Sequence, residues 1–403
     1  MSPSTSGTVA EPDPVAAARA ATEQRPQDPD GWARLALAEI DRARLTLDAA
    51  DLAAAEQSLR RSLALRPERN YDAVLGLGQL SAARHEFGQA EEYARQATVM
   101  APDRPAGYAV LADAEIQLGD YPAATAAAQR LLDLAPTVAG YTRAAYDLET
   151  HGRAAEARIA LDRARESATN PADQAFCEHR LGDLAWEDGR IEEAGQHYRA
   201  ALAAAPADRN AEAGLARVLA AQGAVDEAAA RYRALAARAP VPQFLLEQAE
   251  LLLADGRAAE AAEPLAALAA EVRLLRSAGP GAPVDPYLGR YLADHGDPAT
   301  AVTLLRGEWA ARRSVLVADA LGWALHRAGQ DAEALDLLHE AARTGWHSAA
   351  FDYHLGVVEH ALGHRAEAAD HLRAALARNP RFSPYHAPEA AALLAQLPEG
   401  EPE

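Results

Sequence analysis

No lysine occurs among the 403 residues, so all 39 basic side chains are arginine. That absence excludes Walker-type phosphate loops, which need Gly-Lys, and every Schiff-base or lysine-base chemistry. A high-GC, bacterial-like composition accounts for arginine in its place. Cysteine is nearly absent too: Cys177 stands alone, which excludes a disulfide framework or a cysteine zinc site within one chain. No stretch approaches 18 uninterrupted apolar residues, so no membrane span is expected. The opening "MSPSTSGTVAEPDP" lacks a basic and an apolar segment, so a secretory signal is not expected and the chain reads as cytoplasmic. Acids outnumber bases 59 to 39, and a net charge of −20 is the wrong sign for a nucleic-acid backbone or an anionic membrane.

What is present is alanine, leucine, glutamate and arginine, all good helix formers, and a repeat. "LGDLAWEDGRIEEAGQHYRAAL", from Leu181 to Leu202, returns as "LGVVEHALGHRAEAADHLRAAL", from Leu355 to Leu376. The shared letters are small or apolar rather than reactive, so the copies read as a packing unit. A mid-unit glycine sets the register at Gly119, Gly152, Gly189, Gly223, Gly256, Gly296, Gly329 and Gly363, with spacings of 33, 37, 34, 33, 40, 33 and 34. One further unit places His85 in the glycine slot. Five residues after the anchor stands alanine in all nine units, from Ala90 to Ala368. Leu-Gly or Leu-Ala precedes most anchors, a bulky residue such as Tyr198 or Leu372 follows, and proline closes several units.

This pattern resembles the tetratricopeptide repeat (TPR), a helix-turn-helix of about 34 residues. The resemblance covers nearly the whole chain and implies an all-α fold: a right-handed superhelical solenoid of about ten helix-turn-helix units with flanking helices. The letters carry the same physics. Small residues on two helices let them approach closely, and the bulky residue fills the gap beside them. Glycine ends the first helix, proline stops the second. One unit cannot bury its apolar seam alone, so neighbours stack.

Departures from the pattern suggest an organisation. Residues 1–12 are expected to be disordered, and 13–275 to hold a leading helix and repeats 1–7, the first with an elongated helix from Asp30 to Leu47. The Pro/Gly-rich "RSAGPGAPVDP", 276–286, reads as a linker or hinge. Repeats 8–10 and a capping helix are expected over 287–397, and 398–403 as an acidic tail.

Chemistry is hard to find. Four histidines precede Gly256 and nine fall between His295 and His386. His360 and His364 have helical spacing for a metal, but Gly363 between them should end the helix. "HEAAR" after Leu338 lacks the second histidine of a zincin motif. No nucleophile elbow, dinucleotide fingerprint or calcium loop occurs, so no catalytic residue, cofactor or metal ligand is assigned and the chain is not expected to be an enzyme.

Function is then expected on the concave surface, which the first helix of each unit lines in proteins with this repeat. Carried onto this chain, those positions give two patches. The middle patch holds Thr142, Tyr146, His179, Asp183, Trp186 and Arg217, flanked by Arg143 and Arg180. The later patch holds Arg290, Asp319, Trp323, His326, Arg327, Tyr353 and His360, with His354 beside it. Arginine with tryptophan and tyrosine is the mixture of binding hot spots. Consecutive first helices should bring Trp323, His326, Tyr353 and His360 to one wall. The resemblance therefore implies a non-enzymatic scaffold or interaction module that binds a partner peptide or helix in its groove. A regulatory module that binds a small ligand or metal through the histidine-rich later repeats is the alternative. The lysine/asparagine clamp with which some members hold chaperone C-termini is absent.

Overall fold

The nine repeated alanines are all fully buried, each 0 % exposed, so the seam read from the sequence is where helices touch. Opposite them the Leu-Gly pairs meet the bulky residues. A Cβ on Gly182 would stand 2.7 Å from the Tyr198 ring, and one on Gly356 2.7 Å from Leu372. The computed structural model of the protein describes residues 13–279 and 281–397. The expected disordered start (1–12) and acidic tail (398–403) lie outside the described residues. Among those described there is no strand, and no helix is long and apolar enough to cross a membrane.

The chain divides after Asp103 into two compact units. In the first, α1 (Pro14–Gln24) leads into two antiparallel pairs, α2 (Pro29–Thr46) with α3 (Ala49–Leu65) and α4 (Tyr71–Ala83) with α5 (Phe87–Met100). Its core gathers Ala36, Ile40, Ala55, Leu59, Ala73 and Leu80. The buried Glu39 is satisfied by Arg19 at 3.1 Å and Ser58 at 3.0 Å. His85 takes the left-handed conformation at φ 61°, as its place in the glycine slot requires.

The second unit stacks eight pairs. They begin with α6 (Pro105–Leu118) and α7 (Tyr121–Leu134), then α8 (Val138–Thr150) and α9 (Ala154–Ser167). Next come α10 (Pro171–Glu187) with α11 (Ile191–Ala204), and α12 (Arg209–Ala221) with α13 (Val225–Ala236). α14 (Pro242–Ala254) pairs with α15 (Ala258–Ala278), and α16 (Pro286–His295) with α17 (Pro298–Ala311). The last pairs are α18 (Val315–Arg327) with α19 (Asp331–Ala342) and α20 (Ala349–Leu362) with α21 (Arg365–Arg378), closed by α22 (Ala387–Leu394). Among the described residues, ten pairs with a helix at either end match the architecture read from the repeat. Seven of the eight anchor glycines have positive φ; Gly296, at −128°, does not. α15 extends into the Pro/Gly-rich segment, and one apolar core holds Leu268 and Val272 before it with Val284 and Leu288 after it.

Within this unit the solenoid curls until distant turns meet. Arg313 N donates to Leu118 O at 2.9 Å. Val315 N donates to the Tyr121 hydroxyl at 2.8 Å, and Asn379 Nδ2 to Trp186 O at 2.8 Å, across 194 and 193 residues of chain. A core of Ile116, Tyr121 and Ala124 with Val315, Ala318 and Phe351 seals one such contact. The inner face of the unit is thereby walled on both sides.

Candidate functional site

Helical spacing decides which side chains face inward. On α10, His179, Asp183 and Trp186 stand at i, i+4 and i+7, and so share one face. On α12 and α14 the same spacing aligns Ala213, Arg217 and Ala220, and Gln243, Glu247 and Glu250. With Tyr146 from α8 and Tyr287 and Arg290 from α16, they line a cavity of about 1010 Å³. The facing wall comes from far along the chain: Leu316, Trp346, Phe351, Phe382 and Pro384.

Most charges on this surface are already paired between neighbouring helices. Arg180 reaches Glu149 at 2.6 Å and Asp183 at 2.9 Å, and its guanidinium lies 5.5 Å from the centre of the Tyr146 ring. Arg217 binds Glu247 at 2.9 Å and covers Trp186 at 5.4 Å. From behind, the Tyr198 and Tyr232 hydroxyls donate to Asp183 at 2.9 Å and Glu247 at 2.8 Å. Burial alone would raise Asp183, but His179, Arg180 and Arg217 outweigh it and hold its carboxyl well below the usual range. The same contact raises His179 against the effect of its own burial.

Two groups depart from this pattern. Burial, with the Glu149 carboxylate nearby, pushes Glu187 up to about 7. Arg290 rests over the Tyr287 ring at 5.5 Å, with no carboxylate within ion-pair distance among the described residues.

Of the residues expected to bind a partner, Tyr146, His179, Asp183, Trp186, Arg217 and Arg290 line this cavity. Arg143 lies outside it, paired with Asp113 at 2.7 Å, and Thr142 is buried, donating to Val138 O. The later patch does not form the expected wall. Trp323, Tyr353 and His354 are 1 %, 0 % and 0 % exposed, so they offer a partner no surface. They stack on one another instead, Trp323 on His354 at 4.4 Å, under Phe382 and His386 from the segment that enters α22. Asp319 is buried against His354 Nδ1 at 2.7 Å. His326 is held by Asp331 at 2.7 Å, Arg327 by Asp294 at 3.3 Å, and His360 is exposed at the end of α20.

Glu187, Glu247, Tyr232 and Tyr287 escape the sequence reading. Glu247 is within reach of the register, but its unit lacks the Leu-Gly pair that fixes the register elsewhere. The far wall carries no sequence signal, because the solenoid's curl alone brings it across.

Tetratricopeptide repeat models match residues 82–139 and 185–246. No curated protein gives a significant match. Among solved structures, a thermophilic TPR protein of Thermus thermophilus is 21% identical, with a TM-score of 0.39 over 45% of this chain and 98% of that one. A human IFIT1 dimer with PPP-AAAA is 15% identical, with a TM-score of 0.49 over 79% of this chain and 73% of that one. The Cut9–Hcn1 hetero-tetramer is 15% identical, with a TM-score of 0.40 over 96% and 93%.

Proposed function

Because the chain is a tetratricopeptide repeat protein, we propose that it is a non-catalytic protein-interaction scaffold whose second unit holds a partner segment in its cavity. Arg290 carries this proposal. Its neighbours Arg180 and Arg217 are neutralised by carboxylates in direct contact, whereas Arg290 faces the cavity over an aromatic ring, with Asp319, Glu250 and Asp294 acting on it only from beyond ion-pair distance. A guanidinium in that setting is a ready partner for a carboxylate. The rings of Tyr146, Trp186, Tyr287 and Phe382 supply apolar area around it. A volume of about 1010 Å³ lies at the upper end of pockets that bury a small ligand. It suits a short extended segment with one carboxylate and apolar side chains better than a long helix. A cytoplasmic setting without nucleic acid belongs to the same proposal, and the net charge of −20 supports the second half.

The test begins with affinity capture from the native host, followed by titration of the captured partner's peptides into wild type, Arg290→Ala and Tyr287→Ala. Loss of a true hot spot costs about 2 kcal/mol or more, roughly thirtyfold in Kd. If both folded variants bind every such peptide with unchanged Kd, the cavity is not the binding site.

A further inference from the structure

At the end of the cavity, where α14 and α16 meet the segment entering α22, four buried side chains converge. Glu250 comes from α14, Asp294 and His295 end α16, and His386 precedes α22. His386 Nε2 lies 3.5 Å from Asp294 Oδ2 and 3.9 Å from Glu250 Oε1, and these three residues offer ligand atoms all within 4.8 Å of one another. His295 joins them through Glu250, its Nε2 3.7 Å from that same Oε1. All four side chains are at least nine-tenths buried. Both Nε2 atoms are buried with no hydrogen-bond partner, a state that destabilises a fold unless something fills it.

The partners on the other side of His386 fix what its Nε2 presents. Tyr353 donates its hydroxyl proton to Glu389 at 2.8 Å, and its oxygen stands 3.3 Å from His386 Nδ1. That oxygen therefore accepts from Nδ1–H. His386 Nε2 then faces both carboxylates with no hydrogen bond of its own, in a place for a proton or for a cation. The spacing suits one. Zinc bonds of about 2.0–2.2 Å in tetrahedral geometry set ligand atoms roughly 3.3–3.6 Å apart.

We propose that Glu250, Asp294 and His386 form a site for one divalent transition-metal ion of the Zn²⁺ class, with His295 bracing Glu250 from outside it. An imidazole with two carboxylates and an open fourth position suits such an ion, whereas calcium and magnesium prefer all-oxygen sites. The surroundings brace the ligands as metal sites require: Trp323 Nε1–H donates to both Asp294 oxygens at 3.1 and 3.0 Å, and Tyr353 orients His386. Glu250 also lines the cavity, which gives the ion a way in. An ion held there ties α14, α16 and α22 together, and so seats the Phe382–Pro384 wall. Arg290, one turn before Asp294 on α16, is not a ligand, and the proposal does not depend on what the cavity binds.

Full-length protein stripped with a chelator and titrated with Zn²⁺ by calorimetry should take up one equivalent, and its thermal midpoint should rise. With Co²⁺ it should develop the visible absorption of a four-coordinate centre. H386Q and D294N should each weaken uptake roughly tenfold or more, while the H360Q/H364Q double variant on the surface should match wild type. Circular dichroism checks that the variants fold; if H386Q does not, E250Q at the cavity edge carries the same expectation. Folded wild-type protein that takes up no stoichiometric metal overturns the proposal, and leaves His386 as an imidazolium held between carboxylates. Uptake that survives H386Q, D294N and E250Q overturns it equally.

Discussion

Gly152 lies directly against the backbone of Gly345: a Cβ on Gly152 would stand 2.3 Å from the Gly345 carbonyl oxygen. Gly119 meets Arg313 and Gly189 meets Arg378 in the same way, at 2.2 and 2.4 Å. These anchor glycines thus serve twice, turning the chain within one repeat and admitting the backbone of another that closes the second unit on itself.

Gly223 provides the comparison, since its φ of 82° resembles the 73° of Gly152 but nothing lies within 4 Å of an added Cβ. Alanine at either position costs about 1–2 kcal/mol for the left-handed conformation. Only Gly152→Ala also collides with backbone, which should add about 1–3 kcal/mol. Urea melts of the two variants should therefore separate clearly. Equal shifts in midpoint would mean that the closing contact contributes nothing in solution.

Trp323, expected on a binding wall, is instead the largest fully buried side chain. Trp323→Ala should destabilise the fold by about 3–5 kcal/mol. Arg290→Ala, which breaks no ion pair at contact distance, should cost much less, about 1 kcal/mol. Chemical denaturation of both checks this, and a Trp323→Ala protein as stable as wild type would restore the ring to the surface.

Glu187 gives the cavity a pH signature. Its carboxyl is raised from 4.5 to about 7 by burial and by Glu149, so the native state holds that proton more tightly than the unfolded chain. The stability this confers is complete below about pH 4.5 and is lost as pH rises through about 7. Glu187→Gln removes the titration. Between pH 5 and pH 8, wild type should lose roughly 1–3 kcal/mol more than the variant. Parallel pH profiles for the two proteins would show that the carboxyl is not raised.

Much of the architecture is legible in one sequence because stacking neighbours is a local problem. The alanine that recurs five residues after each anchor, the glycine beneath Tyr198 or Leu372, and His85 in a glycine slot all report contacts within a unit or to the next. Helical periodicity likewise puts His179, Asp183 and Trp186 on one inward face from their spacing alone. The cavity's far wall, the burial of Trp323 and Tyr353 beneath the segment entering α22, and the gathering of Glu250, Asp294, His295 and His386 are not legible there. A repeat encodes the nearest-neighbour interface, while contacts 193 to 195 residues apart depend on small rotations accumulated from one unit to the next. Gly152 and Gly223 are the same letter in the same slot, and only that accumulated curl sets one against a distant backbone and leaves the other in open space.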